Sequence, residues 1–111
     1  MQPEQRRILD TIDALQAAVR RGDGLRICET LFTKSFVRLI EASAKRGCPT
    51  EVRKRLFTRE QTISVQRAIR ANGTAASAII REQNDTTTLH LVKQGGQWRI
   101  NRMTHRKASQ P

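Results

Sequence analysis

The chain predicts an α+β domain in which N-terminal helices sit in the concavity of a curved, four-stranded antiparallel sheet, a cone-like arrangement. Three observations carry this expectation. Apolar residues recur at helical spacing through the first half, they alternate with polar residues from Thr62 onward, and the last two alternating runs flank a Gly95-Gly96 pair. Helices first and strands last are the order of a segregated fold, not of alternating βαβ units.

The first helix is expected from Pro3 to Arg21. Ile8, Ile12, Leu15 and Val19 form one stripe, with Leu9 beside it. Pro3 suits a first helical turn and Glu4 the positive end of the helix dipole; Gly22 ends the helix. Asp23 can cap a second helix, Gly24 to Phe32, with Leu25, Cys28, Leu31 and Phe32 inward. Thr33 opens a third, in which Phe36, Leu39 and Ile40 form the buried side while Lys34, Arg38 and Glu41 face water, and Gly47 stops it. After Cys48-Pro49, Thr50 caps a short helix that turns Val52, Leu56 and Phe57 inward. At these spacings the three phenylalanines read as core before they read as ligand contacts.

From Thr62 the period falls to two. Ile63, Val65, Arg67 and Ile69 share a face, and Asn72-Gly73 makes a tight turn. Thr74 to Glu82 returns with Ala76, Ala78 and Ile80 on one face, and Asn84-Asp85 turns the chain again. In the final hairpin Thr87, Leu89 and Leu91 oppose Thr88, His90 and Val92, while Trp98, Ile100 and Arg102 share one side of the return strand. This gives one domain over residues 1–104 and a basic, disordered tail over 105–111, with no internal repeat or linker.

Charge is lopsided. There are 21 Lys and Arg against 10 Asp and Glu, a net +11. Such a balance fits nucleic acid, an anionic membrane surface or an acidic polymer. Single-strand binders place exposed aromatics beside a basic groove, whereas the three Phe and one Trp here fall on core faces. A recognition helix over Phe36–Lys45 would be too apolar, so specific nucleic-acid recognition is not expected; salt-sensitive attraction to polyanions is. No apolar run approaches the ~20 residues of a membrane helix. The opening MQPEQRRILD lacks the continuous apolar segment of a secretory signal.

The helix-one stripe, the segment GDGLRICETLFT with its Asp23 turn, and the hairpin TLHLVKQGGQWRI together resemble a nuclear-transport-factor-2-like (SnoaL-like, cystatin-like) domain, in particular small bacterial members of unknown function. The resemblance runs from about Gln5 to Met103. Cys28 and Cys48 also resemble members with one cysteine in the second helix and another just before the last. The family holds isomerases, dehydratases, cyclases, transport adaptors and inactive accessory domains, and it commonly forms homodimers through the sheet face. Its enzymes project Asp, His or Tyr into the cone. Tyrosine is absent here, Asp10 and Asp13 lie beside the helix-one stripe, and the second half holds only Glu82 and Asp85, at turns. The expected function is therefore non-enzymatic binding of a small ligand or a protein partner, with no cofactor. A pocket enzyme of isomerase or dehydratase type and an electrostatic polyanion binder are the rival readings.

The two cysteines form an even count, one on a helix and one at a Cys-Pro turn, which suits a disulfide; buried free thiols are the alternative. Closing a loop of roughly 20 residues would contribute about 3 kcal/mol in the chain-entropy account. No metal site is expected, because two cysteines and two distant histidines lack ligand spacing. A disulfide would place the protein outside the cytoplasm, as the soluble part of an exported or membrane-tethered protein whose export segment lies outside this chain. Free thiols would place it in the cytoplasm.

Ligand-pocket candidates are Phe32, Phe36, Arg67, His90, Trp98 and Arg102. Arg67 either offers a cation to a carboxylate or phosphate inside the cone or lays its stem over apolar surface near a sheet edge; Arg102, beside Trp98 and Ile100, poses the same choice. His90 faces away from Leu89 and Leu91, toward the outer face or a dimer contact, and becomes catalytic only if the register is reversed. Gly95-Gly96 joins two strands and so forms no phosphate loop. No serine has a neighbouring base for a nucleophilic triad. A pocket is expected where the packing runs out, near Arg67 or Arg102.

Overall fold

In the computed structural model, which describes residues 3–57, 63–65, 70–82 and 85–106, the first helix, α1 (Pro3–Arg21), buries Ile8, Ile12, Leu15, Ala18 and Val19. The helix stops at Gly22, whose φ of 68° is cheap only for glycine. Gly22 N–H bonds to the Val19 carbonyl at 3.0 Å and Asp23 N–H to that of Ala18 at 2.9 Å, satisfying two terminal acceptors. Asp23 Oδ1 then accepts the Arg26 N–H at 3.1 Å and caps α2 (Gly24–Arg26).

α2 runs on into a π turn (Ile27–Leu31), closed by Phe32 N–H on the Ile27 carbonyl at 2.9 Å. The buried stripe here is Gly24, Ile27, Cys28 and Leu31. Leu25, expected inward, is 56% exposed because it lies off this stripe, and Ile27 fills its place. α3 (Lys34–Ala44) is capped by Thr33, as expected, but ends at Lys45 in the left-handed region (φ 58°), ahead of Gly47. Leu39, expected on its buried side, is 47% exposed. α4 (Cys48–Glu51) is capped by Gly47, with Pro49 in its first turn, so it begins before the expected Thr50. It continues into a second π turn (Val52–Leu56), closed by Phe57 N–H on the Val52 carbonyl.

The sheet is antiparallel throughout. Its strands are β1 (Ile63–Val65), β2 (Arg70–Asn72), β3 (Ala75–Glu82), β4 (Asp85–Gln94) and β5 (Gln97–Arg106). β3 pairs with β4 and β4 with β5, while β1 and β2 both pair with β3. One strand was expected where β1 and β2 lie. Ile63 faces Glu82 but Arg70 faces Ser77, so the two segments differ in register by two residues and cannot be one continuous ladder. The expectation for Arg67 falls outside the described residues.

A bulge decides the orientation of β5. His90 pairs with Arg102 but Leu91 with Ile100, leaving Asn101 as an extra residue. Trp98 and Ile100 are buried, as the alternation predicts. Beyond Asn101 the alternation reverses: Arg102 is exposed, and Met103, opposite Leu89, packs against the core. Arg102 therefore does not share a side with Trp98. β5 also reaches Arg106, so His105 lies in a strand and not in a tail, its Nδ1 3.0 Å from Thr87 Oγ1.

Candidate functional site

Among the described residues, core side chains fill the concavity. Phe32, Ile8, Ile12 and Leu15 from the helices meet Ile80, Leu89, Leu91 and Ile100 from the sheet, all of them buried. Phe32 bridges to Ile100 through the backbone, and its ring lies 4.7 Å from that of Phe36. Phe32 is thus a core residue, and among the described residues no ionisable side chain is fully buried.

Surface clefts open outside this core among the described residues. One, of about 420 Å³, lies between α1, the Ile27–Leu31 π turn and the β4–β5 turn, and its lining includes Arg7, Thr11, Arg26, Thr30, Gln97 and Trp98. A second, of about 320 Å³, lies between α3 and the Val52–Leu56 π turn and includes Phe36, Leu39, Ile40, Arg55 and Leu56. A third, of about 200 Å³, lies between the end of α1 and Phe57, beside Gly24.

The first cleft gathers the most recognition chemistry. Arg7 and Thr11 are one turn apart on α1, and the Thr11 hydroxyl reaches the Trp98 carbonyl at 3.3 Å, tying helix to hairpin. Thr30 donates to the Arg26 carbonyl at 2.7 Å one turn back, so these two side chains share a face as well. Arg26 has no ion-pair partner among the described residues, whereas Arg7 lies 3.8 Å from Glu4. Asp10, also in the lining, is held by Arg6 at 3.7 Å. At one edge Lys93 Nζ donates to Glu4 Oε2 at 2.8 Å. That bond holds the Glu4 carboxyl below its ordinary value, against a smaller opposing effect of partial desolvation. The Trp98 indole N–H is buried without a hydrogen-bond partner among the described residues, and it acts on Glu4 in the same direction as a nearby dipole.

Of the residues singled out from sequence, Trp98 and Phe36 line clefts, though different ones. His90 is exposed on the outer sheet face, as its alternation predicts, with Nε2 3.1 Å from Thr104 Oγ1. Arg102 pairs with it across the strands, and neither lines any of these three clefts. Arg7, Thr11, Arg26 and Thr30 were not anticipated. Their signal was present as two polar pairs at i, i+4, each flanking an apolar stripe. Cys28 and Cys48 form a disulfide with a Cα–Cα distance of 6.2 Å. Among the described residues no group of three or more His, Cys, Asp and Glu side chains is placed to hold a metal, and no helix is long and apolar enough to cross a membrane.

No protein-family model and no curated protein matches this sequence. Its structure is similar to the crystal structure of an NTF2-like protein of unknown function from Shewanella baltica, with a TM-score of 0.67 and 21% sequence identity, over 96% of this chain and 95% of that one. The chain has the nuclear-transport-factor-2-like fold.

Proposed function

We propose that this protein is a non-enzymatic binding domain that takes a small anionic ligand in the cleft between α1, the Ile27–Leu31 π turn and the β4–β5 turn. The supporting observation is the filled concavity, which leaves surface clefts as the binding sites and Arg26 there without an ion pair among the described residues. At about 420 Å³ the cleft has the size of a small-molecule site. A guanidinium without an ion pair among the described residues, beside the Gln97 amide, suits a carboxylate or phosphate group, while the Thr11 and Thr30 hydroxyls donate to backbone carbonyls. An isomerase- or dehydratase-type reaction would need a shielded acid or base; Asp10, the carboxylate in this lining, is 62% exposed and already paired. The Cys28–Cys48 disulfide supports a place outside the cytoplasm, in the soluble part of an exported or tethered protein. Pairing of two copies would use the outer sheet face that carries His90 and Arg102.

Titrating isotope-labelled protein with inorganic phosphate and with citrate tests the reading. Shifts concentrated at the Trp98 indole, Thr11, Thr30 and Gln97, and lost in Arg26→Ala, are the expected result. Shifts that Arg26→Ala leaves unchanged, or none at all, would overturn it.

A further inference from the structure

The α3 groove is separate from the Trp98 cleft and shares none of its lining residues. Residues 34–56 hold seven Lys and Arg against two Glu, so this stretch contributes +5 of the chain's +11. Both acids are engaged internally. Glu41 Oε2 accepts the Cys48 N–H at 3.0 Å, and Glu51, 91% buried by its 9% exposure, holds Arg46 at 3.5 Å. Among the described residues Arg55 lines the groove, exposed and without an ion-pair partner, and Lys54 is exposed beside it in the chain; Glu51, also in the lining, is neutralised by Arg46.

Most of the remaining lining is apolar. Phe36 and Ile40 form the floor, Leu56 one wall, and Leu39, 47% exposed, the other. On α3 the residues Phe36, Leu39 and Ile40 follow i, i+3, i+4, with Ser43 one turn on, so one member of the helix's apolar stripe, Leu39, is left in the open. Among the described residues, Leu39 and Leu25 are the two large apolar side chains left exposed.

We infer that the groove between α3 and the Val52–Leu56 π turn is a docking surface for an acidic amphipathic protein segment, one that inserts an apolar side chain over Leu39 and sets Asp or Glu against Arg55 and the neighbouring Lys54. The shape and the charge select this occupant. A second copy of the same face would bring like charges together. A base-stacking surface would need an exposed ring, and Phe36 is 7% exposed. A membrane surface is met by protruding apolar side chains, whereas this site is a recess of about 320 Å³ that admits a knob.

Two synthetic helical peptides test the inference, one presenting Leu at its a and d positions with Glu elsewhere, the other with Lys in place of Glu. Anisotropy titration of the labelled Glu peptide is expected to show saturable binding that weakens with salt, and at least about tenfold weaker binding of the Lys peptide. Leu39→Glu and Arg55→Glu, both at exposed positions, should each weaken the Glu peptide by about tenfold while circular dichroism stays unchanged. Either variant alone decides the matter if the other misfolds. No binding of the Glu peptide, equal binding of both peptides, or indifference to both substitutions overturns the inference. So does sedimentation with phosphatidylserine vesicles that depends on Leu39 and Arg55 while the Glu peptide fails to compete, which would assign the face to a membrane.

Discussion

The Thr33 hydroxyl donates a 2.8 Å bond to Asn101 Oδ1 while accepting the Phe36 N–H at 3.1 Å, so one buried side chain joins the start of α3 to the extra residue of β5. Thr33 N–H meanwhile bonds to the Ile100 carbonyl at 2.9 Å. The bulge makes this possible, because without it Asn101 would face away from the helices with the rest of its strand side. Thr33→Val keeps the shape but removes both the cap and the donor, and should cost about 2–3 kcal/mol in urea unfolding. Asn101→Ala strips the buried hydroxyl of its acceptor and should cost about 1–3 kcal/mol. The two are in contact, so the double variant should lose less than the sum. Simple additivity would show that the contact is not energetically coupled.

The disulfide ties the second helical segment to α4. Cys48 is completely buried and Cys28 nearly so, so reductant should reach the bond only on unfolding. Replacing both cysteines by serine should lower stability by about 3 kcal/mol in the chain-entropy account. Thiol titration of denatured, unreduced protein is expected to find no reactive thiol, and two reactive thiols there would refute the pairing.

Gly24 sits where α2 packs on α4. A Cβ at this position would stand 2.5 Å from the Pro49 carbonyl oxygen, a backbone atom that cannot move aside without shifting α4 and Cys48 with it. Gly24→Ala should therefore destabilise by about 1–3 kcal/mol, as overpacked sites do, despite the better helix propensity of alanine. Gly73→Ala, at a turn with φ 65° and open space around it, serves as a contrasting control: its cost comes from backbone strain and not from a clash. A Gly24→Ala protein as stable as the parent would mean that the two helices can separate freely.

Much of the fold was legible because periodicity reports burial directly. The stripe Ile8, Ile12, Leu15 and Val19, the Thr33 cap and the inward set Thr87, Leu89 and Leu91 all follow from spacing. What escaped was everything set by a change of register. A single bulge residue, Asn101, sends Arg102 outward, and no local signal in INRM announces it. The two-residue offset between β1 and β2 divides an alternation that reads as continuous. The Arg26 cleft was hidden for a different reason: its residues come from three separate elements, brought together by tertiary contacts such as the Thr11–Trp98 and Arg99–Glu29 bonds. The exposed Leu39 sits at a spacing that also fits burial, so sequence alone could not set it apart from Ile40.

The Glu4–Lys93 bond predicts how stability responds to acid. Lys93 Nζ donates to Glu4 Oε2 at 2.8 Å, and this bond, aided by the Trp98 N–H and the charges of Lys93 and Arg7, holds the carboxyl below its ordinary value in the folded state. A folded-state pKa lower than the unfolded one contributes stability that is fully present above the ordinary carboxyl value and is lost as pH falls through the lowered one. The contact should therefore stabilise the attachment of α1 to the hairpin at neutral pH and release it in acid. Glu4→Gln keeps the shape and a weaker acceptor but cannot titrate. It should be less stable than the parent at neutral pH, and the difference should shrink progressively as the solution is acidified. Trp98, the single tryptophan, stands beside Glu4 and reports the same event by fluorescence. Urea unfolding at a series of pH values checks the sign: a gap between Glu4→Gln and parent that stays constant into acid would remove Glu4 as the titrating group.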